Sequence, residues 1–206
     1  EHDNCLYLID CGESTFKAMF SRNEIYDYDN IVVLLTHLHA DHIGSLGSFL
    51  SFCKNVLDKK VLLAAEEDTI VNILDQSGVH TDKYNFTTDF KECEADGLSI
   101  YVKRESHATD MLCCGFIFEC NGEKIYYSGD TSNVPSDILN AFLSGEIKTM
   151  YQECTFLDKD STSHFSLKKL CEIIPYEERK RVYCMHLGDD IEDDIVKAGF
   201  RVPKIV

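Results

Sequence analysis

The densest chemistry in the chain is His37-Leu38-His39-Ala40-Asp41-His42. Residues i and i+2 of a chain leaving a strand point the same way, so His37 and His39 can grip one metal ion. The chain then turns toward a helix, which lets Asp41 and His42 face a second ion. Imidazole nitrogen and carboxylate oxygen are the donors that suit zinc, iron or manganese. A polar loop with incidental histidines is the plain alternative, and the His-x-His-x-Asp-His spacing argues against it. His107, Asp130 and His186 each follow a predicted strand or open a turn, where α/β proteins gather site residues. Any one of them alone reads as an ordinary surface residue. Beside a cluster that needs further ligands, they read as its partners.

The elements that must position these residues alternate between strand and helix. Leu6-Tyr7-Leu8-Ile9 predicts a strand stopped by Asp10-Cys11-Gly12, and Ile31 to Leu35 predicts one buried on both faces that delivers His37. A helix is expected from about Ile43 to Cys53, a strand at Val61-Leu62-Leu63, and a helix from Glu66 to Leu74. Leu98 to Lys103 and Cys114 to Glu119 predict strands. The second should pair with Lys124 to Ser128 across Asn121-Gly122, a strong two-residue hairpin signal. Ser136 and Ser166 fit N-caps of two helices, one running to about Leu143 and the other stopped near Pro175. Lys148 to Gln152 and Val182 to Met185 predict the late strands. With no repeat and no linker-like tract, residues 1–206 read as one domain.

Bulk properties narrow the function. The sequence has 206 residues, 44% hydrophobic and 27% charged, and contains no apolar run of membrane-spanning length. Its formal charge is −16. A polyanion that binds nucleic acid must bring a basic track, and the longest basic run is Arg179-Lys180-Arg181. The acidic stretch Asp189, Asp190, Glu192, Asp193, Asp194 reads as a solvated face. The ten cysteines include no C-x-x-C pair. They read as reduced thiols of a cytoplasmic protein, with Cys11 singled out because it follows a site-proximal strand.

Taken in order, His37-Leu-His39-Ala-Asp41-His42, His107, Ser128-Gly129-Asp130-Thr131 and His186 resemble the metallo-β-lactamase superfamily over nearly the whole chain. The resemblance implies an α/β fold, an αββα four-layer sandwich with metals at one edge of the two sheets. It implies two divalent transition-metal ions, zinc before manganese or iron. His37, His39 and His107 would hold the first and Asp41, His42 and His186 the second, with Asp130 bridging. Asp10 matches an early aspartate that supports the site without being a ligand, although a turn residue ending a strand fits the sequence equally. The family usually has a strand or two before the equivalent of Leu6, so N-terminal strands are expected to be missing.

A closer resemblance is to the ribonuclease Z branch. It rests on Asp10-Cys11-Gly12-Glu13-Ser14-Thr15, on Cys114 to Glu119, and on Glu153-Cys154-Thr155-Phe156 followed by Ser163-His164-Phe165-Ser166. Gln152 stands where that branch carries a histidine. Enzymes of the branch cleave phosphodiesters in transfer RNA or in small cyclic nucleotides and sugar phosphates, and a homodimer is implied. The arm that grips transfer RNA is missing, because the strand after His107 turns straight back at Asn121-Gly122. The expected function is therefore hydrolysis of a small phosphodiester by a metal-bridging hydroxide oriented by Asp41 and Asp130. Two ions about 3.5–4 Å apart acidify such a water and clamp the attacking and leaving oxygens. His164 is the candidate proton donor to the leaving group, supported by Glu153, unless it merely precedes the helix beginning after Ser166. Lactone or thioester hydrolysis at the same dimetal centre is the alternative activity. Extended nucleic acid and a membrane are not expected partners.

Overall fold

A computed structural model describes residues 4–188 and 190–204, and in it the chain divides into two units, Glu1–Leu98 and Ser99–Val206. In the first unit the apolar runs become four strands: β1 (Cys5–Ile9), β2 (Asn30–Leu34), β3 (Val61–Ala64) and β4 (Tyr84–Thr87). They form a sheet in the order β1-β2-β3-β4, every neighbouring pair parallel, with Leu6 opposite Ile31 and Val33 opposite Leu63. Parallel neighbours need crossovers, and helices supply them. These are α1 (Thr15–Ser21), α2 (Ala40–Ile43), α3 (Leu46–Leu57) and α4 (Thr69–Gln76). Leu46, Phe49, Leu50 and Cys53 form one helical stripe on α3 and are fully buried in a core shared with Ile31, Val33 and Leu63.

The first unit differs from the expected elements at three places. The helix expected from Ile43 to Cys53 is split into α2 and α3 at Gly44-Ser45. A side chain at Gly44 would lie 2.7 Å from the Ala40 carbonyl oxygen, and the Ser45 hydroxyl donates to the Gly12 carbonyl at 2.5 Å. The break thus ties the histidine-bearing turn to the end of β1. The helix expected from Glu66 starts only at Thr69. Strand β4 was not foreseen, although Tyr84 is buried and Phe86 packs against the same core.

The second unit carries β5 (Leu98–Arg104), β6 (Cys114–Cys120), β7 (Glu123–Tyr127), β8 (Ile147–Glu153) and β9 (Val182–Met185), in that order in one sheet. Strands β6 and β7 are antiparallel, and β7-β8 and β8-β9 are parallel. The hairpin turns at Asn121 and Gly122, with φ of 52° and 80°. Asparagine and glycine tolerate that left-handed pair, which matches the strand twist. Helices α5 (Ser136–Leu143), α6 (Leu167–Ile173) and α7 (Glu192–Lys197) complete the unit. Its core gathers Ile138, Phe142, Met150, Leu170, Val182 and Ile195.

Ser166 caps α6, its hydroxyl accepting from the Lys169 amide at 3.4 Å. Ser136 does not cap α5: Pro135 holds the N-cap position with φ −55° and ψ 139°, and Ser136 is the first helical residue. The acidic stretch near the C-terminus is more than a solvated face. Glu192, Asp193 and Asp194 form the first turn of α7, where carboxylates offset the helix dipole, and Ile195 anchors the helix in the core. Asp189 lies outside the described residues. Among the described residues no helix is long and apolar enough to cross a membrane.

Candidate metal centre

The donors of the first unit sit where β2 ends and α2 begins. The Asp10 carboxylate, just past β1, organises them. Its Oδ1 accepts the Thr36 amide at 2.8 Å, and its Oδ2 accepts the Thr36 hydroxyl at 2.7 Å. Oδ2 also meets His42 Nδ1 at 2.7 Å. A carboxylate there fixes His42 with its proton on Nδ1 and its Nε2 lone pair available to a metal. Thr36 spends its one hydroxyl proton on Asp10, so the 3.0 Å contact between Thr36 Oγ1 and His37 Nδ1 makes His37 the donor. That leaves His37 Nε2 as an acceptor, 2.9 Å from His39 Nδ1. Asp41 is exposed on α2, its Oδ2 3.7 Å from His42 Nε2.

The donors of the second unit come from separate loops. The Ser163 carbonyl can only accept, so its 2.7 Å bond with His107 Nδ1 puts the proton there and directs His107 Nε2 toward Asp130, 3.7 Å away. His186 Nε2 lies 3.4 Å from the same Asp130 oxygen. A second carboxylate, Glu153, lies fully buried behind them. It accepts the Thr155 hydroxyl at 2.6 Å and the Thr131 amide, and it meets His164 Nδ1 at 2.5 Å. Thr155 in turn receives His186 Nδ1 at 3.1 Å. Burial pushes the Glu153 carboxyl up to about 7, against the opposing pull of the Thr155 and Thr131 hydrogen bonds.

These donors fit a transition-metal ion. One donor atom each from His107, Asp130 and His164 lies within 4.8 Å of the others, as do atoms of Glu153, His164 and His186. The geometry therefore lets His164 serve either as a ligand or as a proton donor. Thr36, Thr155, Thr131 and Ser163 were given no role from the sequence, because hydroxyls and carbonyls that hold a ligand from behind leave no spacing signature. The adjoining Glu105, raised to about 7 by burial, accepts the Tyr126 hydroxyl at 2.5 Å and was likewise unforeseen.

Backbone strain marks the same places. Asp10 and His186 have φ of 62° and 54°, a left-handed conformation that non-glycine residues adopt at a cost of order 1–3 kcal/mol. Gly12 has no alternative, since a Cβ there would sit 2.1 Å from the Asp41 carbonyl oxygen. Cys11 is fully buried, and burial raises its thiol to about 11, so it is an unreactive core residue. All ten cysteines are free thiols.

The chain matches the family described as anti-Pycsar protein Apyc1 over residues 1–202. It belongs to that family. The anti-Pycsar protein Apyc1 of Bacillus phage BSP38 is 28% identical over 218 aligned positions, covering 93% of this chain and 81% of the phage protein. Among solved structures, the metallo-β-lactamase fold protein YhfI from Bacillus subtilis superposes with a TM-score of 0.77 at 18% identity, covering 99% of this chain and 86% of that one. The short form of human tRNase Z superposes with a TM-score of 0.64 at 19% identity, covering 91% and 83%. The fold is thus that of the metallo-β-lactamases, including the ribonuclease Z branch.

Proposed function

We propose that the chain hydrolyses a small phosphodiester, a cyclic nucleotide or cyclic sugar phosphate, with two divalent ions, zinc before manganese or iron. Following the family resemblance, His37, His39 and His107 are assigned to one ion, Asp41, His42 and His186 to the other, and Asp130 to both. Bound ions would acidify a water and offset the charge of the phosphate. Asp41 and Asp130 would orient that water, and the carboxylates of Asp10 and Glu153 hold the imidazoles in their ligating tautomers.

The observation that carries the phosphodiester reading is the His164–Glu153 pair at 2.5 Å. An alkoxide leaving group needs a proton, and an imidazole backed by a buried carboxyl can supply it from Nε2. Substrate size is supported from another side. The one basic run is largely committed internally: Arg179 donates to the carbonyls of Ile174, Ala198 and Cys171. Arg181 donates to those of Lys148, Phe142 and Ile147. Neither guanidinium is left to track a nucleic-acid backbone. A homodimer, as the branch implies, and a reducing cytoplasm, in keeping with the free thiols, complete the proposal.

A panel of cyclic nucleotides, cyclic sugar phosphates, activated phosphodiesters and lactones at fixed zinc or manganese tests it. Turnover of the phosphodiesters is expected, with precursor transfer RNA left intact. Efficient, salt-sensitive processing of transfer RNA would refute the assignment.

A further inference from the structure

We infer that Lys159, seated on the ring of Phe156, is a substrate-binding cation on the leaving-group side of His164; this rests on the phosphodiester reading above. Phe156 follows Thr155, whose hydroxyl touches Glu153 and His186. Its backbone is pinned on both sides, the amide donating to the Phe165 carbonyl at 3.4 Å and the carbonyl accepting from the Leu167 amide at 2.8 Å. The Phe156 ring meets the His164 imidazole edge-on, with centroids 6.1 Å apart and planes at 89°. Over that ring stands the Lys159 ammonium, 4.5 Å from the centroid.

The seat positions the ammonium without consuming it. An aromatic face attracts a cation but leaves its three N–H donors free for an anion. Asp160 beside it pairs instead with Lys169 at 3.2 Å, and among the described residues Lys159 makes no ion pair. Lys159 is exposed, and the chain around it carries a formal charge of −16. An anionic substrate approaching that surface gains most from a cation already fixed beside the proton donor. From there, Lys159 reaches substrate oxygens beyond the leaving atom that His164 protonates. It binds the substrate and takes no part in bond breaking.

The test is steady-state kinetics of the zinc-loaded protein and its Lys159→Gln variant on bis(nitrophenyl) phosphate, with inorganic phosphate as a competing anion and neutral nitrophenyl acetate as a control. Lys159→Gln is expected to raise KM for the phosphodiester about tenfold, the worth of one hydrogen bond from a charged donor, with kcat and metal content unchanged. The inhibition constant of phosphate should rise in parallel, and the neutral ester should not respond. Lys159→Arg should restore most of the loss, and Phe156→Leu should cause a smaller rise by removing the seat. Unchanged KM and phosphate inhibition in Lys159→Gln would overturn the inference. The two readings separate by direct titration with phosphate. A protein that turns over no phosphodiester, yet binds phosphate in a Lys159-dependent way, loses the proposed activity and keeps the cation site.

Discussion

The two units hold their histidines with the same device built from different parts. In the first, Asp10 bonds His42 directly and reaches His37 through the Thr36 hydroxyl. In the second, Glu153 bonds His164 directly and reaches His186 through the Thr155 hydroxyl. The difference lies in what surrounds each carboxylate. Asp10 keeps 8% of its surface exposed, whereas Glu153 is completely enclosed and its carboxyl is pushed up to about 7. A carboxylate bonded to an imidazole is suited to fixing ligand geometry. One that titrates near neutrality can share a proton with the histidine it touches. In the proposed reaction Asp10 orients imidazoles, and Glu153 both orients an imidazole and supports His164 as the proton donor.

That contrast can be broken most severely at the metals. Asp130→Ala removes the carboxylate flanked by His107 and His186, and it should abolish turnover and lower metal content on elemental analysis. Asp41→Ala, in the first unit, should lower the saturating stoichiometry from two ions toward one. Saturation at one ion in the unaltered protein, with Asp41→Ala making no difference, would defeat the two-metal assignment.

The next test concerns the proton. His164→Ala should keep both metals and lower turnover of an alkoxide-leaving substrate by about 10² to 10⁴-fold. The loss should shrink for nitrophenolate, a weak base that needs little protonation, and Glu153→Gln should follow the same pattern more mildly. Should His164→Ala strip a metal, the histidine is a ligand and not the proton donor.

Smaller effects are expected from the threonines. Thr36→Val and Thr155→Val each cut one relay and should each weaken metal affinity about 10 to 100-fold, while the serine variants retain it. A large loss at one and none at the other would show that the two devices are not equivalent. The smallest expected effect lies at Gln152, fully buried on β8, whose side-chain amide has no hydrogen-bond partner among the described residues. Gln152→Met should stabilise the fold by about 1 kcal/mol in chemical denaturation, because it removes a buried polar group without a partner. Destabilisation would mean that the amide is satisfied in solution.

The parts of this arrangement legible in the sequence are those with local spacing. His37 to His42 form one short motif, and the apolar runs before Asp130 and His186 gave strands that end where these residues sit. The Asn121-Gly122 hairpin was likewise readable, because two left-handed residues leave a specific signature. The relays were not. Thr36 and Thr155 act through bonds set by side-chain direction, and the carbonyl of Ser163 reaches His107 across 56 residues. The helix expected from Ile43 begins instead at Leu46, after the break at Gly44-Ser45, and the helix to Leu143 was legible except that Pro135 and not Ser136 holds its N-cap position.

The central claim is that these two carboxylate-held donor sets serve phosphodiester cleavage. It is tested most directly by following a cyclic nucleotide with the zinc- or manganese-loaded protein and identifying the product. The account predicts ring opening to a linear nucleoside monophosphate that is lost on chelation and restored by added metal. Hydrolysis of lactones with every cyclic phosphodiester left intact would contradict it.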